Sequence, residues 1–236
     1  GHKTPSGYPS RRMWLNFKVT DSNNNLVFES GRVNADGSIA GAINDTDPTA
    51  FEEHYDVITS ADQVQIYEPV MGDTNDQVTY TLLRGSQYLK DNRLTPKGFN
   101  KLAVPDDVAV RGKAFNDTNF SQGSDEITYR FDVAASGDLT VSVSLNYQTI
   151  GYGYLQDLYS DNDLEQVLTF KDMYDAQNLK YEQITSAQTT VVSDGGGTPL
   201  PEPVVNLSVD NSTIEMNQSA ILDWSAANAT DCTAYG

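Results

Sequence analysis

The sequence predicts a mainly β protein: an antiparallel β-sandwich with one or two short helices, followed by a partial Ig-like β segment. Three observations carry that expectation. Apolar residues recur with period two in several stretches, clusters of Asn, Asp, Ser and Gly separate those stretches, and only 20% of the 236 residues are charged. Alternation buries one face of a strand and leaves the other wet. Short polar side chains compete with helical hydrogen bonds and favour turns.

The elements follow in chain order. Met13, Leu15, Phe17 and Val19 alternate with Trp14, Asn16, Lys18 and Thr20. The turn Asp21-Ser-Asn-Asn-Asn25 then leads into Leu26-Val27-Phe28, which together read as a hairpin. Val64, Ile66 and Tyr67 suggest a further strand, continued by Val78, Tyr80 and Leu82 beyond Gly72–Asp76. Ile127, Tyr129, Phe131 and Val133 alternate, and past Ser136-Gly137 so do Leu139, Val141, Val143, Leu145 and Tyr147, predicting a second hairpin. Gly151–Tyr159 reads as an aromatic-rich turn or short helix. Asp163–Tyr174 reads as a helix capped by Asp163, with Leu164, Val167, Leu168 and Met173 near one face.

Asp194-Gly-Gly-Gly-Thr-Pro-Leu-Pro-Glu-Pro203 is a flexible and then stiff connector. It divides a sandwich domain, residues 1–193, from a truncated Ig-like segment, residues 204–236, with 194–203 as linker. The final segment is about thirty residues, below the size at which small domains usually support themselves.

Composition excludes several functions. With 15 basic and 33 acidic side chains the net charge is −18, which disfavours nucleic acid as a partner. Cys232 is the single cysteine, so no internal disulfide and no Cys-x-x-Cys-His haem attachment site can form. No apolar run reaches the roughly 20 residues of a transmembrane helix. No signal peptide is visible, and a start at Gly1 implies that the native start lies upstream. His2 and His54 are the only histidines, and neither adjoins a nucleophile elbow; phosphate-binding glycine loops are absent as well. The expectation is therefore a non-catalytic chain.

Asp/Asn clusters at 21–25, 44–47, 73–76 and 116–119 offer oxygen ligands of the kind calcium takes, with turn formation as the competing reading. The first fails as an EF-hand, having Leu26 at the glycine position and Arg32 at the bidentate glutamate position. The densest anionic group, Asn44, Asp45 and Asp47 with Glu52 and Glu53, is the foremost calcium candidate.

The N-terminal run Gly1-His-Lys-Thr-Pro-Ser-Gly-Tyr-Pro-Ser-Arg-Arg-Met-Trp14 resembles the segment that follows the last haem-attachment motifs in a family of exported bacterial multihaem c-type cytochromes. Phe28–Gly31, Glu53–Ile58, Val64–Glu68, Tyr88–Leu94 and Leu145–Ile150 resemble that family's haem-free C-terminal domain, so the likeness spans about residues 1–190. It implies an extracytoplasmic accessory domain whose partner is the haem-bearing region of the same parent, with haem c carried there and none attached to this chain. It further implies His2 as a distal haem ligand, with Arg11 and Arg12 facing haem propionates. His54 is a second ligand candidate, against a hydrogen-bonded structural histidine. After the linker, Val205–Val209, Gln218–Ser225 and Asn228–Ala234 resemble the first strands of a bacterial Ig-like repeat, with Trp224 as core aromatic. Its open edge suggests self-assembly. The alternative reading is a calcium-stabilised adhesion or carbohydrate-binding sandwich presenting Tyr152 and Tyr154.

Overall fold

The computed structural model describes residues 1–134, 136–194, 204–209, 222–227 and 231–235, the last three as backbone strands. The strands are β1 (Arg12–Asp21), β2 (Leu26–Ser30), β3 (Val57–Ile58), β4 (Ile66–Tyr67), β5 (Pro69–Gly72), β6 (Gln87–Asp91), β7 (Ser124–Glu126), β8 (Thr128–Tyr129) and β9 (Ser136–Gln148). Two short helices follow, α1 (Tyr152–Ser160) and α2 (Glu165–Asp175). The chain continues with β10 (Glu182–Asp194), β11 (Val204–Val209), β12 (Leu222–Ala227) and β13 (Asp231–Tyr235). It is mainly β, with antiparallel sheets, as predicted; the β3–β8 pair is parallel.

The main sheet runs β13-β10-β9-β1-β2, and β4 also pairs with β1. β1 is its spine. All its residues from Arg12 to Asp21 pair with β9, and its other edge is shared, with β4 opposite Met13 and Trp14 and β2 opposite Phe17–Thr20. The β1–β2 hairpin turns where the Asn-rich stretch predicts it, with the Asp21 carboxylate accepting from the Asn23 and Asn25 backbone N–H groups.

Strand alternation sends β1 side chains to two faces. Met13 packs with Tyr67, Val110, Ala114, Phe120 and Leu145, and Phe17 and Val19 pack with Leu139 and Val141. Trp14, which the alternation puts on the solvent side, is fully buried with Ile39, Ala42, Val64 and Ile66. The sheet is thus covered on both faces at this end, by the loops between β2 and β4 on the Trp14 side and by the stretch between β6 and β7 on the Met13 side.

The second predicted hairpin does not form. Only Thr128–Tyr129 of its first arm is strand, paired with β3, while β9 pairs with β1 and β10. Stacking explains the difference. Tyr129 lies on Phe17 with ring centroids 3.9 Å apart, and Phe131 lies on Phe28 at 4.4 Å. The alternating aromatics of this segment therefore pack onto the sheet face instead of extending its edge.

Val78–Leu82 is not a strand either; Val78 makes an isolated bridge to Gly72, and Leu82–Arg84 is a single 3-10 turn. α2 starts at Glu165 with Leu164 in the cap position, and no side chain caps it, so Asp163 does not hold the predicted role. Of its predicted apolar face only Val167 is buried; Leu164, Leu168 and Met173 are exposed.

Most of the linker and the side chains of the Ig-like segment, Trp224 and Cys232 included, lie outside what is described. Its backbone strands pair with the preceding region: β11 with β7 and β13 with β10.

Gly31 closes the β1–β2 unit. It sits at φ +80, a Cβ there would stand 2.2 Å from the Leu15 carbonyl oxygen, and its own carbonyl accepts from Trp14 Nε1 at 3.0 Å. Gly31→Ala should lower unfolding stability by about 2 kcal/mol or more in a urea titration, through strain and loss of the close approach. A change of a few tenths would contradict this geometry.

Candidate functional site

His54 lies in the loop before β3 and is almost wholly enclosed, with Phe120 edge-on to its ring. Its hydrogen bonds come from three separate segments. Nδ1 lies 2.9 Å from Gln65 Nε2 and 3.1 Å from Asn92 Nδ2, and Nε2 lies 3.0 Å from Asp117 Oδ2.

Both amides have a fixed orientation. Gln65 Oε1 accepts from the Tyr55 N–H at 2.9 Å while its Nε2 donates to Asp125 Oδ2. Asn92 Oδ1 accepts from the Glu68 N–H at 3.0 Å while its Nδ2 donates to the Ile66 carbonyl. Turning either amide over would break both of its other bonds. Two amide donors therefore converge on Nδ1, which must be an acceptor. The imidazole is held as the neutral Nε2–H tautomer, donating to Asp117.

Asp125, on β7, completes the cluster. Oδ2 accepts from the Tyr67 hydroxyl at 2.7 Å; Oδ1 is buried without a hydrogen-bond partner, 3.7 Å from His54 Nε2. Burial, reinforced by the Asp117 charge and opposed by the Tyr67 bond, raises the Asp125 carboxyl to about 7. Burial lowers His54 to about 4 despite the bond to Asp117. Both shifts have one meaning: between about pH 4 and 7 the folded site holds a proton on Asp125 and none on His54 Nδ1, a neutral pair in place of an ion pair.

That tautomer limits the chemistry. His54 Nε2 and one oxygen each of Asp117 and Asp125 lie within 4.8 Å of one another, a spacing that suits a small cation. A metal on Nε2 would drive the remaining proton onto Nδ1, against two N–H donors. The arrangement fits a structural proton-holding network better than a metal centre, and it leaves no open iron-facing nitrogen on His54.

The other predicted residues are separated. His2 is exposed at the N-terminus. Arg11 donates to the Ser6 carbonyl at 2.7 Å. Arg12, expected at a propionate, is instead buried, with two nitrogens on Asp45 at 2.6 and 2.8 Å and Nε on Gln148. Burial opposes its charge, and Asp45 outweighs that, holding Arg12 protonated above its ordinary range.

The predicted calcium group is likewise committed elsewhere. Asp45 also accepts from the Ile39 N–H, and Glu52 takes the Ile43 N–H and the Tyr55 hydroxyl. Asn44 donates to Glu68, and Asp47 receives the Thr49 N–H and hydroxyl. Glu53 has none of these bonds. Asp21 and Asp73 accept backbone N–H groups of their own turns. Tyr154 is half-buried, edge-on to Tyr80 and Tyr8, and Tyr152 is half-buried as well. Asp117 belongs to the predicted 116–119 cluster; Asp125, Gln65 and Asn92 carry no local signal of their role.

Comparison of the chain with family models, curated proteins and solved structures finds no match.

The two titrations act in opposite directions. Unfolded His54 binds a proton below 6.5 that the folded form refuses down to about 4, so its contribution to stability rises with pH across that window. Unfolded Asp125 loses a proton above 3.8 that the folded form keeps to about 7, so its contribution falls across nearly the same window. In the wild type they offset each other. Asp125→Asn, which imitates the protonated acid, should expose the His54 term: urea-unfolding stability should rise by up to roughly 3 kcal/mol between pH 4 and 6.5 relative to wild type. Parallel pH profiles for the two proteins would contradict the assignment. Added zinc should leave the melting midpoint unchanged, whereas a rise abolished by His54→Gln would contradict the tautomer.

Proposed function

We propose that this chain is a non-catalytic accessory β domain of an extracytoplasmic multihaem electron-transfer protein, and that His2 supplies a distal ligand to a haem carried by another region of the parent. The single observation that supports this most is how the N-terminal segment is mounted. Lys3 Nζ donates to Asp91 at 2.7 Å and to the Ala109 carbonyl at 2.9 Å, and Thr4 exchanges both backbone hydrogen bonds with Leu94 at 2.8 and 2.9 Å. The side chain immediately before this clamp, His2, is exposed.

A ligand so placed loses little further freedom on binding iron. Arg11 holds the same segment from the other side through Ser6, and its guanidinium lies over Gly7, where a Cβ would meet it at 2.6 Å. The enclosed and hydrogen-bond-saturated state of His54 supports leaving haem ligation to His2. Among the described residues no helix is long and apolar enough to cross a membrane.

The test uses a short haem c peptide with its own proximal histidine and an open sixth position. Titration with this chain should shift the haem absorption from high-spin to low-spin, His2→Ala should abolish the shift, and His54→Gln should leave it intact. A spectrum that stays high-spin at saturating protein, or that shifts equally with His2→Ala, would overturn the ligand role.

A further inference from the structure

Lys90 is fully buried on β6, and among the described residues its ammonium has a single hydrogen-bond acceptor, Glu68 Oε1 at 3.2 Å. The same oxygen accepts from Asn44 Nδ2, also at 3.2 Å. The amide's other end is unsatisfied, since Asn44 Oδ1 is buried without a partner. An amine, a carboxylate and a carboxamide thus meet at one shielded oxygen, drawn from β6, the β4–β5 junction and the 43–45 turn.

We propose that these three residues form an intramolecular isopeptide bond between Lys90 Nζ and Asn44 Cγ, with Glu68 as the proton-transferring catalytic residue. In a site of low dielectric the ammonium gives one proton to Glu68, replacing a buried ion pair by a neutral one. Glu68 then donates to the Asn44 carbonyl oxygen once the amide has turned over, which gives the orphaned Oδ1 its partner and makes Cγ electrophilic. The free amine attacks Cγ, the Cγ–Nδ2 bond breaks, and Nδ2 leaves as ammonia. The Nζ–Cγ amide forms, and the proton that Glu68 took from Lys90 departs on the ammonia as ammonium, so Glu68 ends as a carboxylate. The reaction is a transamidation with no change of oxidation state, so it needs neither oxidant nor cofactor. A shallow cavity of about 20 Å³ bordered by Asn44, Glu68 and Arg12 lies beside the carboxamide and offers an exit for ammonia.

The bond would tie the 43–45 turn to β6 across 46 positions of sequence, as 90 is to 44. Closing a loop of that length restricts the unfolded chain in the way a disulfide does, in a chain whose single cysteine allows no internal disulfide.

Mass spectrometry of the purified chain decides it. The intact mass should be lower than the sequence mass by one ammonia, and a proteolytic digest should contain one branched species joining the Lys90 and Asn44 peptides. Lys90→Ala and Glu68→Gln should each restore the full mass. An intact mass equal to the sequence mass overturns the proposal on the wild type alone, whatever the variants' folding. The same mass loss confined to a linear Asn44 peptide, and persisting in Lys90→Ala, identifies succinimide formation and overturns it too.

Discussion

The buried pair of Arg12 and Asp45 is the constraint on which the rest of the structure depends. Arg12 is the first residue of the strand that organises the main sheet, and its guanidinium reaches the 43–45 turn through Asp45 and the end of β9 through Gln148. Asp45 in turn holds the Ile39 N–H, so one carboxylate fixes both the strand and the loop that roofs Trp14. Enclosing two charges is costly unless both are fully paired, and breaking such a pair typically costs about 3–5 kcal/mol. The pairing also positions what lies on either side. Upstream, the N-terminal segment enters β1 from a clamped path; downstream, the 43–45 turn presents Asn44 to Glu68.

The interior beneath the sheet follows the opposite strategy. Around His54 the chain avoids an ion pair by placing two amide donors on Nδ1 and the proton on Asp125. Gln65, Asn92 and the Asp117–Asp125 stretch come from segments far apart in sequence, so this network joins the loops that cover one end of the sheet. Because both ring nitrogens of His54 are engaged within it, the network acts as structure. The surface position of His2 contrasts with it, and that contrast is why the proposed ligand role falls to His2.

Much of the scaffold was legible in the sequence because strand period and turn chemistry are local. Met13–Val19, the Asp21–Asn25 turn and Leu26–Phe28 agree at every level, and the hairpin forms there. The aromatic stretch from Ile127 to Val133 misled for a physical reason: stacking on Phe17 and Phe28 satisfies alternating aromatics as well as edge pairing does. Trp14 looked exposed because the loops covering it carry no regular pattern. The site was far less legible. Arg12 and Asp45 are separated by 33 positions, and no spacing rule links His54 with Asp125. The acidic loops read as cation sites from composition alone, whereas their carboxylates cap turns or meet buried donors.

The proposed accessory role beside a haem-bearing region draws on the clamped N-terminal segment, the exposed His2 and the enclosed His54 together. The most direct measurement is a haem stain of the native polypeptide that contains this sequence, separated under denaturing conditions from its source cells and identified by peptide mass. The account predicts covalently bound haem on that same polypeptide. A native polypeptide with this sequence and no covalent haem would contradict it.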